Sequence, residues 1–463
     1  MDADIAQVEM TRLRPERAAV LDDVQRYEAL LSSVRRLMNI PELIGEIFIH
    51  CIPDPTDIFA AGKFGHLPRP FTYSYVYAGR HDAPLALSHV CRTWRRISLT
   101  APRLWATFAV NARHYRSIAA MNLWLSRSRS YPLSFCIQFE LHESSILNAT
   151  DILALARHQN RWKNVSVKGT DMLEHFLSSV TDTYPVLERL HLSEDNRYID
   201  TYVSAPNLTQ LELTGCFLMS DKLHLPNLRE ITIHDMWLYD CLSMCRQHQA
   251  LQRAAFHISS PGTMAPDADI VELPALKDLH LSTPHAAAPT DASDLLMNIR
   301  APSLKKLHIH SEIRLSMSIR DAVLPFLQRS SALVTSLHVD GRYSNMDSLV
   351  EFISHIPHLQ QLSLASSHLN SDDLLAHLQT PIITNTSTVL CAPELAVIGP
   401  LSPNPTLDSL VDFIISRRIN GHSALRDVVV PDPHLAFELR SHPGVSECIK
   451  NGLQVLCKIT SDD

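Results

Sequence analysis

The sequence predicts a mixed α/β chain: an N-terminal helical module, then a curved repeat solenoid with parallel strands on its concave face. Three observations predict it. A leucine phrase, L-x-x-L-x-L, recurs through the C-terminal two-thirds, and segments of helical period crowd the first hundred residues. Composition favours packing, with 64 leucines and only 12 glycines in 463 residues. A hydrophobic share of 45% supplies a large core and excludes global disorder. The formal net charge of −8 argues against nucleic-acid binding, which needs a basic face. Neither GxxxxGK[ST] nor GxGxxG occurs, and no HExxH, nucleophile elbow or triad spacing points to catalysis. A non-enzymatic binding protein is expected, with no cofactor and no metal.

Nine cysteines, an odd number without a CxxC pair, read as reduced thiols. No basic n-region with an apolar h-region opens the chain, and no window offers about 18 consecutive apolar residues. These features predict a cytoplasmic or nuclear protein.

Residues 1–38 are expected to hold a helix over 16–38. Val20, Val24, Tyr27, Leu31 and Val34 are spaced 4, 3, 4 and 3, a heptad seam. Two readings stay open: a helix packed on its own domain, or a short coiled-coil dimerisation arm.

Residues 39–110 continue the helical pattern. Pro41 opens a short amphipathic helix with Leu43, Ile47 and Phe48 on one face. The stretch 53–84, with five prolines and the cluster Phe71, Tyr73, Tyr75 and Tyr77, reads as an inserted loop. Leu87, Val90, Cys91 and Trp94 then return at helical spacing, and Pro102 opens a last turn ending in Leu104-Trp105.

The order Pro41-Glu-Leu-Ile-x-x-Ile-Phe48, Ser88-x-Val-Cys-Arg-x-Trp-Arg95 and Pro102-Arg-Leu-Trp105 resembles an F-box. With Leu30-Leu-Ser-Ser-Val-Arg-Arg-Leu37 before it, the chain is similar to the F-box-like proteins of mushroom-forming fungi that carry degenerate leucine-rich repeats. Ile40 stands where that family commonly has a second proline. The resemblance implies docking to the Skp-type adaptor of a cullin–RING ubiquitin ligase, with Ile40, Pro41, Leu43, Ile47, Phe48, Leu87, Val90, Cys91 and Trp94 as the adaptor-binding set. It implies a substrate-recognition subunit. The alternative is a repeat scaffold that engages no ligase.

Residues 111–161 are expected to link or cap, and 162–430 to form the solenoid. The phrase is clearest at Leu187, Leu208, Leu228, Leu276, Leu304 and Leu359, with weaker copies at Trp162, Leu251, Leu333, Leu395 and Leu425. Steps of 20 to 36 residues mostly match the leucine-rich-repeat period of about 20–29. In L-x-L the leucines point one way and their neighbours the other, so each phrase is one strand. Helices are expected over Asp240–Ala250, Ile319–Arg329, Met346–Ile356 and Leu407–Arg418, with Asn345 and Thr406 capping the last two. The shorter returns near 193–205 and 214–224 are expected to be irregular. Residues 431–463 are expected to cap the array, with Leu453, Val455 and Ile459 alternating in a closing strand.

The outward columns name a target-binding face. One runs His191, Glu212, Thr232, His257, His280, His308, His338, Ser363; its neighbour runs Arg189, Gln210, Glu230, Ala255, Asp278, Lys306, Ser336, Gln361. From these, Arg189, His191, Glu212, Glu230, His257, Asp278, His280, Lys306, His308 and His338 are the candidates for holding an unknown target protein. Four histidines in register on adjacent strands are expected to depress one another's pKa.

Overall fold

A computed structural model describes residues 17–32, 40–52, 84–111, 115–138, 149–169, 183–199, 201–218, 220–260, 270–283, 292–311, 319–341, 346–365, 370–379, 381–383, 388–390, 392–402, 404–419 and 424–457. The chain is mixed α/β, with one large parallel sheet of 14 strands and several helices. It divides into two compact units, Met1–Ser166 and Val167–Asp463.

In the first unit, residues 17–32 form helix α1. Val20, Val24, Tyr27 and Leu31 are all exposed, so the seam is not packed on the chain's own core. Val34 lies outside the described residues. Helices α2 (Pro41–Ile49), α3 (Leu85–Val90) and α4 (Arg92–Thr100) follow, then a 3-10 turn over Pro102–Trp105. Proline opens α2 because its missing N–H costs nothing at a first turn. Cys91 breaks α3 from α4, and its Sγ accepts the Trp94 N–H at 3.4 Å. Ile44, Phe48, Ile97, Leu104 and Trp105 are buried. Phe48 meets Trp94 edge-on at 4.8 Å, and Trp105 Nε1 donates to the Ser98 carbonyl at 2.7 Å. Nearly all of the expected insertion, residues 53–83, lies outside the described residues.

Strand β1 (Thr107–Asn111), α5 (Tyr115–Arg127), β2 (Leu133–Gln138), α6 (Ala149–Ala156) and β3 (Trp162–Lys168) come next. β1 and β2 pair in parallel, from Thr107 opposite Ser134 to Asn111 opposite Gln138. Strand–helix alternation thus begins before Trp162, running through the stretch expected to link or cap. Phe108, Val110, Leu133, Phe135 and Ile137 point inward and are buried, but without the leading L-x-x that marks later repeats.

The second unit carries β4 (Arg189–Ile199), β5 (Gln210–Leu218), β6 (Glu230–Trp237), β7 (Arg253–Ser260), β8 (Asp278–Thr283), β9 (Lys306–Ser311), β10 (Ser336–Gly341), β11 (Gln361–Ala365), β12 (Val397–Ser402), β13 (Asp427–Val430) and β14 (Gln454–Cys457). They neighbour one another in chain order. A backbone motif marks the repeat. Two consecutive N–H groups entering each strand donate to one carbonyl of the strand before: Thr209 and Gln210 to Glu188, Arg229 and Glu230 to Thr209, Gln252 and Arg253 to Arg229. The motif continues through Lys277 and Asp278 to Gln252, Lys305 and Lys306 to Lys277, and Thr335 and Ser336 to Lys305. It ends with Arg426 and Asp427 donating to Ala396. Buried rows follow the strand register, Leu211, Ile231, Ala254, Leu279, Leu307, Leu337 and Leu362 in one, Leu213, Ile233, Phe256, Leu281, Ile309, Val339 and Leu364 in the next. Each fully buried leucine or isoleucine contributes about 1.5–3 kcal/mol of transfer free energy. One expected start is corrected: Leu333 is 65% exposed and Val334 fills the buried position.

Helices α7 (Leu238–Gln247), α9 (Ile319–Ser330), α10 (Met346–Ser354) and α12 (Leu407–Ile419) stand where helices were expected; α8 (Ala292–Met297) and α11 (Ser371–Gln379) were not anticipated. Thr406 Oγ1 accepts the Ser409 N–H at 3.3 Å, as a cap should; Asn345 lies outside the described residues. The first two returns are less irregular than expected. β4 and β5 run on to Ile199 and Leu218, and Val203–Ser204 pairs with Leu223–His224. At the C-terminal end, α13 (Pro433–Ser441) and α14 (Pro443–Lys450) lead into β14. Leu453 and Val455 are buried there; Ile459 lies outside the described residues. Gln454 donates its N–H to Arg426, which turns the Val455 carbonyl towards the open edge, where Arg440 Nε and Nη2 donate to it at 3.2 and 2.6 Å. That charge blunts an edge strand otherwise ready to pair.

Candidate partner-binding surfaces

The first surface lies on the short helices of the N-terminal module. On α2 the face turned inward carries Ile44 and Phe48, while Ile40, Leu43 and Ile47 are 44%, 40% and 45% exposed. Val90, at the end of α3, is 59% exposed. Pro41 and Cys91 are also exposed, and Leu87 and Trp94 are half-buried. Phe48 is corrected from contact residue to core, since Trp94 covers its ring. The reason is the helical screw: Ile44 and Phe48 sit one step round from Leu43 and Ile47, and only one of the two pairs can face inward. Four large aliphatic side chains therefore remain uncovered on a small module, the kind of apolar exposure that marks an interaction site.

The second surface is the polar face of the strand array. Register corrects the histidine column. Ala255 lies opposite His280, while His257 lies opposite Ser282 on one side and His234 on the other. The copy at Leu251 reads Leu251-x-x-Ala254-x-Phe256, which puts Ala255 in the column and His257 two residues beyond it. One column is Glu212, Thr232, Ala255, His280, His308, His338; the adjacent one is Thr214, His234, His257, Ser282, His310, Asp340. The imidazoles still form one continuous row. His234 and His257 stack at 4.1 Å, and the separations onward to His280, His308 and His338 are 5.8, 5.4 and 5.4 Å. Sequence reasoning missed His234 and Asp340; their signal is the position two residues past the column.

Charged neighbours are interleaved. His310 Nδ1 lies 2.8 Å from Asp340, His308 Nε2 3.9 Å from Asp278, and His234 Nε2 3.8 Å from Glu212. Glu230 takes a 2.8 Å hydrogen bond from Gln210 and pairs with Arg253 at 3.3 Å. Lys306 is exposed, Arg189 is half-buried, and His191 is buried and offers little surface. His280 is held down to about 4, chiefly by burial and then by His308 and His338. Burial also lowers His308, against the opposing pull of Asp278. At His280 neighbouring imidazoles contribute to the depression, but desolvation is its larger cause.

Among the described residues, no group of three or more His, Cys, Asp or Glu side chains is arranged to hold a metal ion. Among the same residues no helix is long and apolar enough to cross a membrane. No family model matches the chain, and no curated protein matches it in sequence.

Proposed function

We propose that the protein is the substrate-recognition subunit of a Skp-cullin-F-box-type ubiquitin ligase. Residues 39–110 act as an F-box that docks the adaptor, and residues 162–430 form a leucine-rich-repeat-like solenoid that holds a target protein. The observation that carries the reading is that Ile40, Leu43, Ile47 and Val90 stay exposed on a module whose core is already filled by Ile44, Phe48 and Trp105. These side chains contribute little to the module's own fold, so their apolar surface favours a partner. The chain supplies no reacting group. Its contribution is proximity, keeping a target lysine near a charged ubiquitin-conjugating enzyme.

Co-purification with a Skp-type adaptor and cullin tests this. Ile47→Asp and Val90→Asp should each abolish adaptor capture while leaving the chain folded, because a desolvated, unpaired carboxylate costs several kcal/mol in the complex and nothing comparable in the free protein. A folded wild-type chain that captures no adaptor, or variants that capture it at wild-type yield, would leave the repeat scaffold as the better reading.

A further inference from the structure

Six histidines crowd one patch of the array's polar face: His234, His257, His280, His308, His310 and His338. We propose that this imidazole row seats an extended acidic segment of a partner protein, and that the segment binds with uptake of protons. The proposal deepens the target-holding half of the function above and needs no adaptor docking.

The charged groups facing the row come from every neighbouring strand. They are Glu212 on β5, Glu230 on β6, Arg253 on β7, Asp278 on β8, Lys306 on β9 and Asp340 on β10, while β11 brings only Gln361 and Ser363. Four carboxylates against Arg253 and Lys306 leave the face a fixed charge of −2: Glu230 pairs with Arg253, while Glu212, Asp278 and Asp340 lie 3.8, 3.9 and 2.8 Å from His234, His308 and His310. The charge still free to change is on the imidazoles. A neutral imidazole offers one N–H donor, and a protonated one offers two and a positive charge. The three carboxylates beside the row offset at most half of six imidazolium charges, so rings 4.1 to 5.8 Å apart resist ionising together unless a further anion supplies countercharge. His280, held down to about 4, is neutral when the face is empty, and burial lowers His308 in the same direction.

Geometry suits an extended chain. The row crosses five adjacent strands, four spacings of about 4.8 Å, or roughly 19 Å. An extended peptide presents alternate side chains about 6.8 Å apart, so about four carboxylates span the row. A basic segment would compete with His234, His308 and His310 for Glu212, Asp278 and Asp340, so its binding would weaken rather than tighten as the imidazoles take up protons. An apolar one would strand their half-buried N–H groups.

The test uses the full chain and a labelled peptide of alternating glutamate and alanine. Its affinity is compared at about pH 7.5 and about pH 5.8 at constant ionic strength. Binding should tighten roughly tenfold at the lower pH, and calorimetry in buffers of different ionisation enthalpy should show about one proton taken up per peptide. The double variant His280→Gln/His308→Gln should lose the gain; the control His355→Gln/His377→Gln, altered at exposed sites elsewhere, should keep it. Equal affinity at both pH values, no binding at either, or no proton uptake would overturn the proposal. So would a gain that survives the His280/His308 change, since it would then come from the general loss of negative charge near the sequence pI of 6.3.

Discussion

The helical module and the strand array solve the same problem differently. In the sheet, parallel pairing brings leucines of adjacent strands into register, and the rows through Leu279 and Leu281 are wholly buried while polar residues stand in register between them. In the module three short helices close over Ile44, Phe48 and Ile97 and still leave Leu43, Ile47 and Val90 in solvent. Stacked repeats extend a core indefinitely, whereas a few short helices are too small to bury every apolar side chain. The two regions therefore present opposite surfaces. The module offers apolar area in search of cover, and the array offers a polar pattern.

The largest expected effect tests that contrast directly. Leu279→Ala should destabilise the chain by about 2–5 kcal/mol, because a fully buried leucine loses both its transfer free energy and its packing. Leu43→Ala, at a side chain with the same chemistry that is 40% exposed, should cost less, about 1 kcal/mol. Urea unfolding of both variants checks the pair. Similar losses would mean that Leu43 belongs to a core.

The array was legible because its period is short and its inner face is nearly all leucine and isoleucine. Backbone bonds place repeat boundaries one residue past Leu187, Leu208, Leu228, Leu276 and Leu304, where the phrase begins. Legibility failed where leucine did. Ala254 fills the second leucine position of its repeat, and without that marker His257, three residues on, falls in the wrong column. β1 and β2 went unread because Phe108 and Phe135 alternate without a leading leucine. Helix α11 carried a readable cap, Asn370, whose Oδ1 accepts the Asp372 N–H at 3.1 Å, but nine residues between two strands drew no notice. On α2, periodicity shows that Leu43 and Ile47 share a face and that Ile44 and Phe48 share another. Which face turns inward depends on Trp94, brought from beyond the insertion, and no local pattern carries that.

A middle-sized effect separates the regions by pH. His248, buried at the end of α7, is held down to about 4 by desolvation, as His280 is chiefly. Both folded values lie below the unfolded value of about 6.5, so the unfolded chain binds more protons between the two. Stability is therefore full above about pH 6.5 and is lost as pH falls towards 4. Far-UV circular dichroism of urea unfolding should show the midpoint dropping across that window, and His248→Gln should flatten the drop. Four of the five tryptophans, Trp94, Trp105, Trp124 and Trp162, lie in the first unit, so their fluorescence reports on the other region. Identical pH dependence for the two probes would show that the units unfold as one.

The smallest effect concerns polar pairs that only decorate the array. Arg300 Nη1 lies 2.9 Å from Glu272 Oε1 across the two short strands Val271–Glu272 and Ile299–Arg300, and both side chains are about half exposed. Water screens the attraction, and ordering two long side chains offsets most of the remainder. The backbone holds this pairing without them, since Leu273 donates its N–H to the Arg300 carbonyl at 2.8 Å and Val271 to Asn298 at the same distance. Arg300→Ala should thus cost no more than about 0.5 kcal/mol, in low salt and high salt alike. A salt-sensitive loss above about 1.5 kcal/mol would mean that surface charge helps to hold the repeats together. Buried leucines alone could then no longer be credited with maintaining the fold.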